Sequence, residues 1–252
     1  MRLLAALTFF TRLPFWRIRE IPAEHFKRVV PLWPVAGWLT GSTTALVLWL
    51  CSHAMPLTLA WIVALVSRLL LTGCLHEDGL ADFIDGFGGG TTRERTLTIM
   101  KDSHIGTYGV IGLIVYFALL IQLPSVISRD TLIIAVLCGD CWSKCCAAQL
   151  INFLPYARNE ETAKNRTVYE RMTLPELLIC FFFGLAPAFV MAFVLKWLPA
   201  GMLWLLFVPA CMTLLLTLVM RRRLQGYTGD CCGAAFLLSE LAFYLSVAIA
   251  VF

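Results

Sequence analysis

The sequence predicts an all-α fold: a polytopic helical bundle in a membrane, with about seven transmembrane helices. Hydrophobic residues make up 60% of the chain, and charged residues make up only 14%. Several apolar stretches approach the roughly 20 residues that are needed to cross a bilayer. Cationic residues are concentrated in alternate connections between these stretches. Because no soluble segment or long linker interrupts the pattern, residues 1–252 are predicted to form one integral membrane domain.

Each apolar stretch ends at polar or charged residues, and this pattern divides the chain into predicted spans. The spans are 30–50, 56–75, 108–123, 131–154, 175–195, 201–220 and 233–252. The opening stretch, 3–10, is too short to cross the bilayer and is bracketed by arginines, so it is predicted to lie in the membrane interface. A cleaved signal peptide is the alternative, but no small-residue cleavage pattern follows the stretch.

The positions of the 20 lysines and arginines predict the orientation. Most of them lie before the first span and in the second-to-third, fourth-to-fifth and sixth-to-seventh connections, whereas the opposite side carries Arg129 and Lys196. Cationic loops stay in the cytoplasm. We therefore expect a multi-pass protein of the cytoplasmic (inner) membrane, with its N-terminus and its acidic cluster on the cytoplasmic side.

The acidic cluster is the run from His76 to Gly86, and its four side-chain carboxylates lie within nine residues. In a helix, Asp78, Asp82 and Asp85 would share one face, where they would repel each other strongly without a cation. Aspartate oxygens at this density suit Mg²⁺ or Mn²⁺. The alternative is a solvated acidic loop. Asp102, just before the third span, is either a further metal ligand or an ordinary helix-end charge.

Two glycine-bearing segments lie on the same predicted side. Residues 86–90 precede Arg93 and Arg95, and a glycine-rich turn with exposed amides beside arginines would be a plausible phosphate cradle. Residues 226–234 precede the last span; they either reach the same site or form a turn in which Asp230 caps the following helix. Glu240, inside that span, is a functional candidate because intramembrane carboxylates are rare.

Two cations fall inside predicted spans, where a lone charge is costly. Lys144 lies four residues after Asp140, which indicates either a structural ion pair or a substrate contact. Arg68 would turn toward the acidic cluster or bind a phosphate. The 10 cysteines show no zinc-ligand spacing, and most are predicted to act as small apolar residues with reduced thiols.

Taken in order, these motifs resemble the cobalamin synthase family, the membrane enzymes also called adenosylcobinamide-GDP ribazoletransferases. The resemblance extends along nearly the whole chain, and its most specific parts are Asp-Gly-Leu-Ala-Asp-x-x-Asp-Gly and the later Ile-Met-Lys-Asp-Ser. The matching elements are Phe10-Thr11-Arg12-Leu13-Pro14, residues 31–37, residues 76–109, Tyr156-Ala157-Arg158, residues 226–230, Gly233-Ala234 and Glu240.

The resemblance implies that α-ribazole or its 5′-phosphate attacks the cobinamide-side phosphorus of adenosylcobinamide-GDP, giving adenosylcobalamin or its phosphate and releasing GMP. It implies Mg²⁺ as cofactor. The implied metal ligands are Asp78, Asp82, Asp85 and Asp102. The implied catalytic residues are Asp82, Asp85 and Asp102, with Asp85 or Asp102 as proton acceptor. The implied substrate contacts are Arg12, Arg93, Arg95, Lys101, Arg158, Thr228 and Asp230.

The chain departs from the family pattern at Lys144, where arginine is usual, at Glu77, where an apolar residue is common, and at residues 159–164. A CDP-alcohol phosphotransferase is one alternative, but its Ala-Arg element and its later aspartate pair are missing. A magnesium or proton transporter is a second alternative, although it would need polar residues across several spans. The expected partners are the two substrates and the lipid bilayer, with no nucleic acid; a homo-oligomer is left open.

Overall fold

The computed structural model describes residues 1–158, 168–194 and 200–252, and its regular elements are helices. They are α1 (Arg2–Phe10), α2 (Ala23–Lys27), α3 (Trp33–Cys51), α4 (Leu57–Thr72), α5 (Leu75–Gly89), α6 (Arg93–Ile99), α7 (Thr107–Gln122), α8 (Arg129–Phe153), α9 (Leu174–Phe189), α10 (Phe207–Arg223) and α11 (Gly229–Val251). The described residues contain no β-strand, only one isolated bridge. The predicted all-α architecture is confirmed.

Six helical segments are long and apolar enough to cross a membrane, and a bent pair of helices can supply a seventh. The six are Val30–Cys51, Thr107–Ser125, Arg129–Phe153, Leu174–Phe193, Leu203–Arg223 and Gly229–Val251. They overlap six of the predicted spans. The predicted departure at residues 159–164, and the cations Lys164, Arg166 and Lys196, lie outside the described residues.

The second predicted span differs from the structure, because its helix ends earlier than residue 75. Helix α4 ends at Thr72, and Gly73 and Cys74 both adopt the left-handed conformation, with φ of 64° and 57°. A left-handed residue after the last helical turn stops the helix, and glycine tolerates it best. The chain then turns by 90° into α5. The acidic run therefore lies on a separate helix, beyond the break that ends α4.

Helix α5 lies across the beginnings of α7 and α11. Near its start, a Cβ atom added to Gly79 would lie 3.1 Å from Cα of Asp230. Near its end, a Cβ atom added to Gly109 would lie 3.0 Å from the carbonyl oxygen of Ala81. Glycines at both crossings allow this close approach of helix backbones. Residues 86–89, predicted to form a phosphate-binding turn, are instead the last helical turn of α5, so their amides are largely used within the helix.

The centre of the bundle is the contact between α3 and α8. Gly37 and Gly41 are one helical turn apart on α3, and a Cβ atom on Gly37 would lie 2.9 Å from Cα of Cys141 on α8. Small residues four apart let membrane helices pack closely, where dispersion forces replace the hydrophobic effect. The outer faces of the bundle expose large apolar side chains, as expected for contact with lipid: Leu46, Trp49, Leu70, Ile114, Phe182 and Phe207.

The charges inside the bundle pair with one another. Lys144 contacts Asp140, and Thr40 donates a hydrogen bond of 2.8 Å to the same carboxylate, so the structure contains the ion pair that was one of the two alternatives for Lys144. Arg68 has a buried carboxylate partner on another helix. It pairs with Glu240, with nitrogen–oxygen distances of 2.9 and 2.7 Å. Pairing lowers the high cost of a charge within the bilayer. The cysteines, all within the described residues, form no disulfide.

Candidate active site

A cavity of about 160 Å³ opens at the end of the bundle where the cationic connections meet. It is bounded by α1, the beginning of α3, α5, α8, the beginning of α11, and the loops around residues 156 and 228. Its walls are mostly aromatic: Phe9, Phe10, Trp33, Tyr156, Tyr169 and Phe236. Its polar lining includes His76, Asp78, Lys144, Arg158, Thr228 and Asp230. The cavity therefore joins an aromatic interior to charged groups.

Two loops that are distant in sequence form one edge of the cavity. The amide of Ala157 donates to the carbonyl of Tyr227 at 2.8 Å, and the amide of Tyr227 donates to the carbonyl of Pro155 at 2.9 Å. Arg93 ties the same loops together, because its Nε and Nη2 donate to the carbonyls of Leu224 and Ala157 at 2.7 Å each. Arg93, a predicted substrate contact, thus uses two of its donors to hold these loops.

Aspartates from two helices reach this cavity. Asp78 lies in the first turn of α5, and Asp230 lies in the first turn of α11. The close packing of Gly79 against the backbone of Asp230 brings the two helix starts together. Asp82 is one turn further along α5, on the face of Asp78. Carboxylates in the first turn also interact favourably with the helix dipole.

The other two predicted metal ligands are held elsewhere. Asp85 is buried, and its two oxygens accept hydrogen bonds from the amides of Gly106 and Gly109 at 2.7 and 2.8 Å. This carboxylate caps the beginning of α7. Asp102 is exposed and accepts hydrogen bonds from His104, which lower the pKa of its carboxyl group. The four predicted ligands are therefore not gathered at one point.

Arg158 lies between the cavity and a neighbouring open groove of about 640 Å³ that also holds Lys101 and Asp102. Its Nη2 donates to the carbonyl of Leu97 at 3.0 Å. Its Nε and Nη1 are buried without a hydrogen-bond partner in the part of the chain that the structure describes. Guanidinium N–H groups suit phosphate oxygens in paired geometry. These donors are consequently available to a phosphate.

The remaining predicted contacts differ in position. Thr228 is buried, lines the cavity, and caps α11 by accepting a hydrogen bond from the amide of Cys231. Arg12 packs against Gly73, at the break between α4 and α5. Arg95 and Lys101 are exposed. Only Arg158, Thr228 and Asp230 of the predicted substrate contacts line the aromatic cavity.

Sequence reasoning missed the aromatic lining and His76. The imidazole of His76 stacks on Phe10 with ring centroids 5.6 Å apart, and it contacts Phe236 at 4.7 Å. These residues come from three separate helices, so helical periodicity does not reveal that they meet. Burial raises the pKa of the Tyr156 and Tyr227 hydroxyl groups at the loop edge, so both remain protonated at neutral pH.

The donor set suits a magnesium ion that shares its coordination with a phosphate. No group of three histidine, cysteine, aspartate or glutamate side chains in the described ranges is arranged to hold a metal by itself. Mg²⁺, however, is usually bound by one or two carboxylates, waters and substrate phosphates. Asp78 and Asp230 at one cavity, with Asp82 one turn away and the Arg158 donors beside them, provide this kind of site.

Fold and site together define a polytopic α-helical membrane protein whose one end combines carboxylates, an arginine and an aromatic cavity. The chain belongs to the cobalamin-5-phosphate synthase family, whose family model matches residues 2–248. The family consists of enzymes, so the protein is a membrane-embedded transferase of the cobalamin synthase type.

Individual relatives agree with this assignment. The chain is 35% identical over 247 residues to the adenosylcobinamide-GDP ribazoletransferase of Shewanella frigidimarina (strain NCIMB 400), covering 96% of this chain and 92% of the relative. It is 36% identical over 253 residues to the protein of the same name from Shewanella sp. (strain W3-18-1), covering 98% and 93% of the two chains. No solved structure matches the chain.

Proposed function

We propose that the protein joins α-ribazole, or its 5′-phosphate, to adenosylcobinamide-GDP, giving adenosylcobalamin or its 5′-phosphate and GMP. The relatives named for this reaction support the proposal, since each aligns with nearly the whole chain. The observation that carries it in the structure is the meeting of Asp78, Asp230 and the unpartnered Arg158 donors at one cavity. Transfer at a diphosphate needs this combination of oxygen ligands and a fixed cation.

The proposed reaction is a displacement at phosphorus. A ribose hydroxyl of α-ribazole forms a new bond to the cobinamide-side phosphorus, and the bond from that phosphorus to the oxygen of GMP breaks. GMP leaves with the electron pair. The hydroxyl proton passes to a carboxylate at the cavity. A carboxylate oxygen of Asp78 or Asp230 that does not hold the ion is our first candidate for this acceptor, because both residues line the cavity, Asp85 already accepts two amide hydrogen bonds, and the lowered pKa of Asp102 makes it a weaker base.

We propose Mg²⁺ as the cofactor, held by Asp78, Asp82 and Asp230. The chemistry supplied by the bound ion is neutralisation of the diphosphate charge. Arg158 adds a fixed positive charge beside the same carboxylates and orients a phosphate through two donors. Arg93 keeps the two loops of the cavity edge in register. The open groove with Lys101 on the other side of Arg158 offers room for further parts of adenosylcobinamide-GDP.

We further propose that the cavity faces the cytoplasm from the inner membrane. Contacts between connections support this orientation, because the cationic segments meet at one end of the bundle. Arg28 pairs with Glu170 at 2.6 Å, and Arg223 donates to the carbonyl of Phe87 at 3.4 Å. An end with so many cations is expected to stay in the cytoplasm.

The two alternatives are not favoured. The family assignment goes against a CDP-alcohol phosphotransferase. A transporter would need charged side chains that line a path, but Arg68 and Lys144 are each paired with a buried carboxylate of the bundle. These pairs are typical of structural charges in a membrane protein.

The experiment incubates purified protein in detergent with adenosylcobinamide-GDP, α-ribazole 5′-phosphate and Mg²⁺, and measures GMP and the corrinoid product. We expect product from the parent protein and none after EDTA. Asp82→Asn, Asp78→Asn and Asp230→Asn should lose most activity. Asp130→Asn is the matched control, because Asp130 is an exposed aspartate that pairs with its neighbour Arg129 at the opposite end of the bundle. A folded parent protein that forms no product would contradict the proposal.

A further inference from the structure

The aromatic cavity contains buried donors that have no partner. Trp33 and His76 are 3% and 5% exposed, and Nε1 of Trp33 and Nε2 of His76 find no acceptor within the described ranges. With Nε and Nη1 of Arg158, they account for half of the eight buried side-chain nitrogen and oxygen atoms of the described residues that lack partners. Buried polar groups are normally satisfied. Their concentration at one cavity indicates a ligand that accepts hydrogen bonds.

The size and walls of the cavity restrict this ligand. A cavity of about 150 Å³ takes a benzene-sized ring, so a cavity of about 160 Å³ that is open at its mouth suits one flat aromatic base. A corrin macrocycle is far too large. The face of Phe10 stacks with the His76 ring, and Phe236 meets the same imidazole in an edge-type contact. Such walls bind planar rings through stacking and dispersion.

We infer that this cavity binds the benzimidazole base of α-ribazole, an inference that rests on the proposed function. The ribosylated base has one ring nitrogen that accepts a hydrogen bond, it has no N–H donor, and the rest of its surface is apolar. Trp33 can only donate, and neutral His76 can donate through Nε2. Guanine, the other aromatic base in the reaction, would need buried acceptors for its N–H groups. The cavity's carboxylates lie instead on Asp78 and Asp230, which are exposed and half-buried.

The arrangement also orients the nucleoside. With the base between the aromatic walls, the ribose lies at the mouth beside Asp78 and Asp230, and Arg158 stands at the same edge, where the diphosphate of the second substrate is proposed to bind. The attacking hydroxyl thus meets the carboxylates that we propose for proton transfer. The second substrate approaches from the open groove across Arg158. The cavity would therefore determine which base is attached.

The experiment measures the KM of each substrate separately in variants that keep the ring but remove the donor. Trp33→Phe and His76→Phe should each raise the KM for α-ribazole 5′-phosphate by about five- to tenfold, the value of one lost hydrogen bond. The KM for adenosylcobinamide-GDP should stay unchanged. His76→Gln should recover part of the loss, because its amide places a donor near the position of Nε2. Trp49→Phe, a lipid-facing tryptophan, is the matched control.

Calorimetric titration without Mg²⁺ or the second substrate provides a readout that is independent of turnover. α-Ribazole should bind the parent protein and Trp49→Phe, and it should bind His76→Phe at least about fivefold more weakly. Guanosine should not compete. Product formation with an unchanged KM for α-ribazole 5′-phosphate in both cavity variants would overturn the inference and leave the proposed function standing. A raised KM for adenosylcobinamide-GDP alone would assign the cavity to guanine and also overturn it.

A third outcome would support the assignment of the cavity while rejecting the proposed function. Binding of α-ribazole that is weakened in His76→Phe, in a protein that forms no product with either substrate pair, would support the cavity assignment and reject the transferase. An absence of α-ribazole binding to the folded parent protein, with guanosine binding in its place, would overturn the cavity assignment.

Discussion

Removing the carboxylate of Glu240 while leaving Arg68 in place tests whether this intramembrane pair is structural or catalytic. Both residues are buried, with exposures of 0% and 3%. Arg68 donates to both carboxylate oxygens and to the hydroxyl of Tyr116 at 3.2 Å, and Tyr244 donates to Glu240 at 2.8 Å. The network lies within the bundle, and neither charged residue lines the aromatic cavity. We therefore expect a role in stability.

The magnitude follows from the charge that is left behind. Breaking a buried ion pair by removing one partner costs about 3–5 kcal/mol, because the remaining charge is buried without compensation. For a chain of this size, that loss should lower the thermal midpoint by on the order of 10 °C. Arg68→Met combined with Glu240→Met should recover most of the loss, since replacing both partners with apolar groups removes the unpaired charge. Heating in detergent, followed by tryptophan fluorescence, measures each midpoint.

The exposed pair of Arg28 and Glu170 is the matched control. Glu170→Ala should cost less than about 1 kcal/mol, as exposed salt bridges generally do. The structural reasoning would be refuted by a Glu240→Ala protein that keeps its thermal midpoint but loses transfer activity. A double variant that is as unstable as Glu240→Ala would refute it as well, because the unpaired charge would then not be the cause.

Three further predictions concern residues near the site. Asp85→Asn should lower the free energy of unfolding by about 1–3 kcal/mol, because an NH₂ group would replace one of the two oxygens that accept hydrogen bonds from the amides of Gly106 and Gly109. The Mg²⁺ concentration for half-maximal activity should not change, and a large change would show that Asp85 binds the metal directly. Gly79→Ala places a Cβ atom 3.1 Å from Cα of Asp230. We expect kcat to fall about tenfold or more, with little change in thermal midpoint. An unchanged kcat would mean that the contact between α5 and α11 does not align the site. Asp102→Asn should leave the shape of the pH–rate profile unchanged between about pH 5 and pH 9, because a carboxyl group with a lowered pKa is already ionised throughout that range. Loss of the fall in rate at acidic pH would identify Asp102 as the base.

The acidic run shows where helical periodicity succeeds and where it fails. The spacing of Asp78, Asp82 and Asp85 predicted one helical face, and the run does form helix α5. The structure places Asp78 at the cavity and Asp85 against the amides at the beginning of α7, and the prediction that all three act together stays a prediction. Helix α5 crosses α11 near Asp78 and α7 near Asp85, so the two ends of one face meet different neighbours. Sequence spacing describes a helix, but it does not say which helices cross it.

Of the two buried ion pairs, the sequence predicted one and not the other. Asp140 and Lys144 are one turn apart on a single helix, so their pairing was predictable from sequence. The partner of Arg68 was not, because Glu240 lies 172 residues away and only the fold of the bundle brings the two side chains together. The glycines of residues 86–90 were misassigned to a turn. Residues 86–89 instead form the last turn of α5, and tight contacts there, as at Gly86 beside Met100, leave room only for small side chains.

Composition and local pattern by themselves determined that this is a helical membrane protein, approximately where it spans the bilayer, which end carries the cations, and which family its motifs resemble. These properties depend on hydrophobicity and charge along the chain, which the sequence states directly. Only the tertiary structure decided which carboxylates share a cavity and that aromatic rings from α1, α3 and α11 enclose a space with unpartnered donors. Those properties depend on contacts between residues distant in sequence, which arise only when the helices pack.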